Sequence, residues 1–321
     1  IRMVDGNQQA GYIPVSDTNG KMTWTDPASV IPTDEITDAD NDTKIQVEAN
    51  TDDDIIRFDM AGTEFFRMDS GRLETVNTGN SVFIGEGAGQ NDDLSDNANV
   101  FVGYLSGNSN TTGISNAAVG LQTMRYNTTG SYNSAIGHYS LRYNSTGWDN
   151  VAIGAPGLGN NTTGDANIAI GTFSLSENTA GDDNIALGFN AARENTTGSD
   201  NVAIGARTNR ENQTGNNNVL IGYEAGGTGI SHSKSGSVFL GSKAGYNETN
   251  SNRLYIENSN SSTPLIYGDF ENDTLRIYGI LDMAGNISLT DNWISNDGDS
   301  AGIAIDAVSY THLTLPTIVR V

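Results

Sequence analysis

Glycine recurs along this chain with a fixed period. Gly103, Gly120, Gly137, Gly154, Gly171, Gly188, Gly205 and Gly222 stand 17 residues apart over seven consecutive intervals. Gly85 precedes the series by 18 residues and Gly241 follows it by 19, so ten related units occupy about half of the 321 residues. A unit this short cannot bury an apolar face alone; a core arises only when each coil stacks on the next. The period therefore predicts an all-β solenoid over residues 80–246. It divides the chain into a β-rich N-terminal flank (1–79), the repeat region (80–246), a β-rich C-terminal region (247–307) and a tail (308–321).

Aligned on the glycine, the units share a short β-branched strand: Asn150-Val151-Ala152-Ile153-Gly154, Asn167-Ile168-Ala169-Ile170-Gly171, Asn184-Ile185-Ala186-Leu187-Gly188 and Asn201-Val202-Ala203-Ile204-Gly205. Alternation puts the residues one and three before the glycine on one face. The expectation is an internal core of Ile153, Ile170, Leu187 and Ile204 with Val151, Ile168, Ile185 and Val202. The residue between them runs Phe83, Phe101, Ala118, Ala135, Ala152, Ala169, Ala186, Ala203, Leu220, Phe239, never polar. Facing the other way, it predicts a second, closely approached surface that a lone chain would leave in water. On that reading Ala169→Arg would block assembly.

A second glycine, at Gly113, Gly130, Gly147, Gly164, Gly181, Gly198 and Gly215, follows an asparagine three residues earlier in every unit: Asn110, Asn127, Asn144, Asn161, Asn178, Asn195 and Asn212. Glycine accepts positive φ and asparagine bonds nearby backbone, so Asn-Thr-Thr-Gly reads as a turn. In register these side chains form a ladder. The strand-opening asparagines, Asn99 through Asn218, form another.

Composition fits a turn-rich β protein, with 38 Gly and apolar residues at 36 %. Sixteen Lys and Arg stand against 39 Asp and Glu, a net charge of −23, which disfavours nucleic acid and anionic membranes as partners. The absence of cysteine excludes disulfides and thiolate metal sites and fits an exported protein. No apolar run of about 18 residues is present, so membrane insertion is not expected.

The recurring Asn-x-[Val/Ile]-Ala-Ile-Gly strand with its glycine turn resembles the head repeat of trimeric autotransporter adhesins, over about Asn80 to Tyr246. That resemblance implies a left-handed parallel β-roll, a homotrimer packed about a common axis, and adhesion at a cell surface. The units here are somewhat longer than is usual in that family, and no heptad stalk follows. Residues 252–279 look more like tail-fibre-type surface proteins, so a phage fibre shaft is the alternative. From Val308 the string Val308-Ser309-Tyr310-Thr311-His312-Leu313 resembles a translated sequencing adapter; the expectation is a non-native tail whose removal changes neither folding nor assembly.

Few residues point to chemistry. Asp38, Asp40 and Asp42 alternate as in calcium loops, but without the central Gly and closing Glu of an EF-hand, so a solvated acidic turn is the leading expectation. No other metal and no cofactor is expected, and no catalytic residue. His138 and His232 lie in loop-like contexts without an activated serine or metal-ligand spacing. Asp92-Asp93 and Asp182-Asp183 offer the paired acids of a polysaccharide-degrading solenoid, but sit in turn segments where Asp is expected anyway. The threonines preceding the turn glycines could form an ice-binding row, though not on a flat strand face. Tyr104, Tyr126, Tyr139, Tyr143, Trp148, Phe173 and Phe189 fall just past strands or in loops, most covering the roll and some available to a glycan or protein ligand. The expected function is adhesion without catalysis.

Overall fold

The computed structural model describes parts of residues 13–71, then 72–227, 229–282 and 284. Asp38, Asp40 and Asp42, and the tail from Val308 with His312, lie outside the described residues. The chain divides into two units, 1–279 and 280–321, and all the architecture described here belongs to the first.

The N-terminal flank forms hairpins. Strands β1 (Ile13–Ser16) and β2 (Met22–Thr25) pair antiparallel, as the turn-forming residues between them predict. A five-stranded antiparallel sheet follows in chain order: β3 (Glu35–Thr37), β4 (Lys44–Val47), β5 (Ile56–Met60), β6 (Thr63–Asp69) and β7 (Arg72–Thr75). Phe58 and Phe66 meet edge to face across it, and Arg67 donates to Glu74 at 2.7 Å. No described side chain of this sheet is fully buried; Phe65, Phe66, Met68 and Leu73 are all exposed.

The repeats build one sheet of thirteen strands. Its first ten are parallel and stack in sequence order: β8 (Val82–Ile84), β9 (Val100–Val102), β10 (Ala117–Val119), β11 (Ser134–Ile136), β12 (Val151–Ile153), β13 (Ile168–Ile170), β14 (Ile185–Leu187), β15 (Val202–Ile204), β16 (Val219–Ile221) and β17 (Val238–Leu240). Strand β18 (Arg253–Ile256) adds in parallel, then β19 (Ile266–Asp269) and β20 (Thr274–Ile277) close the sheet antiparallel. Equivalent residues lie opposite one another throughout, Ala152 beside Ala169 and Ile153 beside Ile170. This is the all-β solenoid of about ten 17-residue coils that the glycine period predicts.

The facing of its strands is the reverse of expectation. Ala118, Ala135, Ala152, Ala169, Ala186 and Ala203 are wholly buried inside the coils, whereas Ile153 and Ile170 are each 40 % exposed. Each coil is thin. Its far wall, the segment after the strand glycine, sends Met124, Leu141, Leu158 and Leu175 inward against those alanines, leaving room for one large side chain per level. The occupants are complementary. Where the strand supplies Phe101 or Phe239, the residue six positions later is Gly107 or Gly245, and a Cβ there would collide with the ring. Where it supplies Ala118, Ala135, Ala152 or Ala169, the far wall supplies Met124, Leu141, Leu158 or Leu175; opposite Ala186 and Ala203 stand the smaller Ala192 and Asn209. Ala169→Arg therefore places a charge in the core of the coil and would unfold it, rather than only block assembly.

Both asparagine ladders form. The side-chain amide of each turn asparagine donates to its predecessor's Oδ1 at 2.8 Å, from Asn195 to Asn178 and so on down to Asn110, and also to the carbonyl of its own turn glycine. The strand-opening series runs likewise, each backbone N–H from Asn116 to Asn218 donating to the preceding Oδ1. The turn glycines are needed for a reason other than positive φ, since none of them adopts it. A Cβ on Gly164 would sit 2.5 Å from both Asn161 Oδ1 and the Gly181 carbonyl, so they permit close stacking of coils. Positive φ falls instead on the strand glycine, +133° at Gly171, and on far-wall residues such as Phe173 and Leu175.

Candidate functional surfaces

Three features remain once this scaffold is accounted for. The first is the outward strand face. Ile84, Val100, Val119, Ile136, Ile153, Ile170, Val219 and Ile221 are exposed and most of their neighbours in the same rows half-buried, so Val, Ile and Leu cover one face over ten strands, interrupted by the exposed Ala117 and Ser134. At about 4.8 Å between strands the strip runs for roughly 45 Å. Exposed apolar surface of that extent is uncommon on monomeric soluble proteins.

The second is the outer side of the far wall, where stacking aligns three columns. Tyr139, Pro156 and Phe173 form one edge, Tyr143, Asn160 and Glu177 the other. Between them an arginine row, Arg125 and Arg142 then Arg193 and Arg210, is interrupted by Gly159 and Ser176. The two missing arginines leave a cleft of about 180 Å³ lined by these residues. The Arg142 guanidinium lies over Tyr139 at 4.4 Å and Tyr143 at 4.9 Å, and Tyr143 stacks on Tyr126 at 5.2 Å. Arg142 has no carboxylate or hydrogen-bond acceptor among the described residues. Its Nε and Ser176 Oγ are buried polar atoms without partners. Along the second edge Asn160 donates to Glu177 Oε2 at 2.9 Å. The sequence singles out the aromatics here but not Arg142, Ser176 or Glu177, although the break in the 17-residue arginine spacing was there to be read.

The third is a buried lysine. In the coil before β17, Lys234 takes the place of the turn glycine, and Asn218 donates to its carbonyl just as Asn201 donates to Gly215. Its side chain turns into the core, where Nζ donates to the Gly226 carbonyl at 2.6 Å, meets His232 Nε2 at 3.3 Å and lies 5.1 Å from the Phe239 ring. Burial lowers the lysine to about 7 against the opposing pull of Glu248 and Glu211. Burial, reinforced by Lys234, lowers His232 to about 4. His138 stands apart, exposed, its ring 3.6 Å from that of Tyr139 and tilted to it by 34°.

One member of each acidic pair bonds to the scaffold. Asp92 caps both ladders at their N-terminal end, its Oδ2 accepting from Asn99 at 2.8 Å and Asn110 at 2.9 Å; a carboxylate suits a position that only needs to accept. Asp182 accepts from the backbone of Asp165, in the turn role expected for it. Among the described residues no three His, Asp or Glu side chains are grouped to hold a metal, and no helix is long and apolar enough to cross a membrane. Comparison with protein-family models, curated proteins and solved structures finds no match for this chain.

Proposed function

We propose that this chain is the shaft or head of a homotrimeric extracellular fibre that presents a repetitive surface for adhesion, without catalysis. The observation that carries the reading is the outward, largely Val/Ile face, apolar over ten strands except at Ser134 although the coil core does not use it. Three copies packed on these faces would remove it from water, each buried methylene contributing on the order of 0.8 kcal/mol. The uncovered five-stranded sheet, with Phe65, Phe66 and Met68 exposed, supports association in the same way. The likeness of the repeat to trimeric adhesin heads agrees with three as the number. A phage fibre shaft is the same physical object in another setting, and the antiparallel strands β19 and β20 that follow the roll suit it equally. Sedimentation equilibrium of the full chain tests the proposal: a mass three times the 33.9 kDa of the monomer supports it, and a well-folded monomer at micromolar concentration rejects it.

A further inference from the structure

We propose that the cleft where the arginine row skips two coils is a binding site for a single neutral sugar ring. It deepens the adhesive reading by naming the class of ligand, and it uses the far wall rather than the strand face.

Four properties of the cleft select the occupant. Its volume, about 180 Å³, is below the roughly 300–1,000 Å³ of sites that enclose drug-sized molecules, so it admits one ring or a chain end. Aromatic surface from Tyr139, Tyr143 and Phe173 provides flat apolar walls, against which the axial C–H bonds of a pyranose can lie. Both charge signs are present. Arg142, held over Tyr139 and Tyr143 with no acidic partner, offers only donors, and the Glu177 carboxylate offers only acceptors. An anionic ligand would face Glu177 and a cationic one Arg142. A neutral polyhydroxylated ring donates to the one and accepts from the other. Finally, Ser176 is 97 % buried with an unpartnered hydroxyl; buried polar groups are rarely left so, and a ligand hydroxyl in the cleft could satisfy it, whereas an Nε without a hydrogen-bond partner recurs at Arg125, Arg142, Arg193 and Arg210 and marks the row rather than the cleft.

The site is also built, in that the scaffold departs from its own repeat to make it. Arginine occupies this register in the two coils before and the two coils after, and Gly159 and Ser176 stand where two more would fill the space. Arg193, over Phe173 at 5.6 Å, resumes the row below the gap.

The row supplies its own control. Ser176→Arg restores the arginine that neighbouring coils already accommodate and fills the cleft, while Phe173→Ala removes one exposed wall without touching the core. Ligand-observed NMR on the full chain, with methyl glycosides of glucose, galactose, mannose and N-acetylglucosamine as probes, should show saturation transfer to at least one of them. A millimolar dissociation constant is expected for so small a ligand. Both variants, checked for unchanged melting, should weaken binding at least about tenfold. Absence of transfer from all four glycosides overturns the proposal, as does binding that survives Ser176→Arg. Tighter binding of glucuronate than of glucose overturns the neutral specificity. Because the oligomer mass is measured without sugar, failure here leaves the assembly proposal standing, and the reverse holds.

Discussion

The interior of this protein is made largely of amide groups, and single residues carry its stability accordingly. Asn161 donates to Asn144 and to the Gly164 carbonyl and accepts from Asn178. Asn161→Ala leaves the Asn144 Oδ1 buried without a donor and takes one acceptor from Asn178, while Gly164 keeps Asn150 and Asn178 keeps Gly181. The loss should cost about 1–3 kcal/mol, read as a lowered urea midpoint with unchanged slope. Gly171→Ala should cost about 2 kcal/mol or more, since φ is +133° and the added Cβ lies 2.6 Å from the Gly188 carbonyl. Lys234 predicts a pH dependence. Its folded value near 7 lies below the ordinary 10.5, so between those limits the unfolded chain binds more protons and stability rises with pH. The burial cost of the charge is fully present below about 7. His232, lowered from 6.5 to about 4, has the same sign in its own window. Urea midpoints should therefore climb between about pH 7 and pH 10, and Lys234→Met should flatten that climb. An unchanged climb in the variant would assign it to another group.

At the level of one coil, stability depends on a volume shared between two walls. Phe101 over Gly107 and Ala152 over Leu158 are two solutions of the same packing problem, six residues apart in sequence in both cases. Ala152→Phe alone should overpack the coil and cost about 1–3 kcal/mol. Leu158→Gly alone should leave a cavity and cost about 3–5 kcal/mol, partly offset because Leu158 sits at φ +49° where glycine is unstrained. Combined, they reproduce the Phe101 arrangement, and the double variant should be more stable than the sum of the singles by at least about 1 kcal/mol. Additive penalties would mean that the two positions do not share the space.

For the molecule as a whole, the question is what covers the Val/Ile face. A lysine at Ile153 or Ile170 points away from the coil core, so the coil should fold as before while a partner face is repelled. The double variant Ile153→Lys with Ile170→Lys should sediment as a monomer with a near-native circular dichroism spectrum. The wild type should be the trimer. An unaltered trimer in the variant would show that the contact lies elsewhere, for instance on the uncovered N-terminal sheet.

Much of this architecture is a one-dimensional property of the chain, and the sequence determines it alone. A glycine every 17 residues, with asparagine at two fixed offsets, sets the coil length, the parallel in-register stacking and both ladders, because each side chain bonds to its own image one period away. Which way a strand faces is not such a property. In a strand of three apolar residues either one or two point inward, and hydrophobicity favours two. The thinness of the coil, set by a wall seventeen residues cannot move further away, admits one, so alanine lies inside and isoleucine outside. The six-residue exchange of Phe with Gly for Ala with Leu carried that information, but it becomes legible only once the two walls are known to touch. The cleft has the same origin: Gly159 and Ser176 are unremarkable in sequence, and only stacking places these small residues between Tyr143 and Phe173 to leave a space. Lys234 follows likewise, since only the coil brings the carbonyls of Gly226 and Glu248 within 2.6 and 3.3 Å of its Nζ and the Glu248 and Glu211 carboxylates near enough to oppose the burial of its charge.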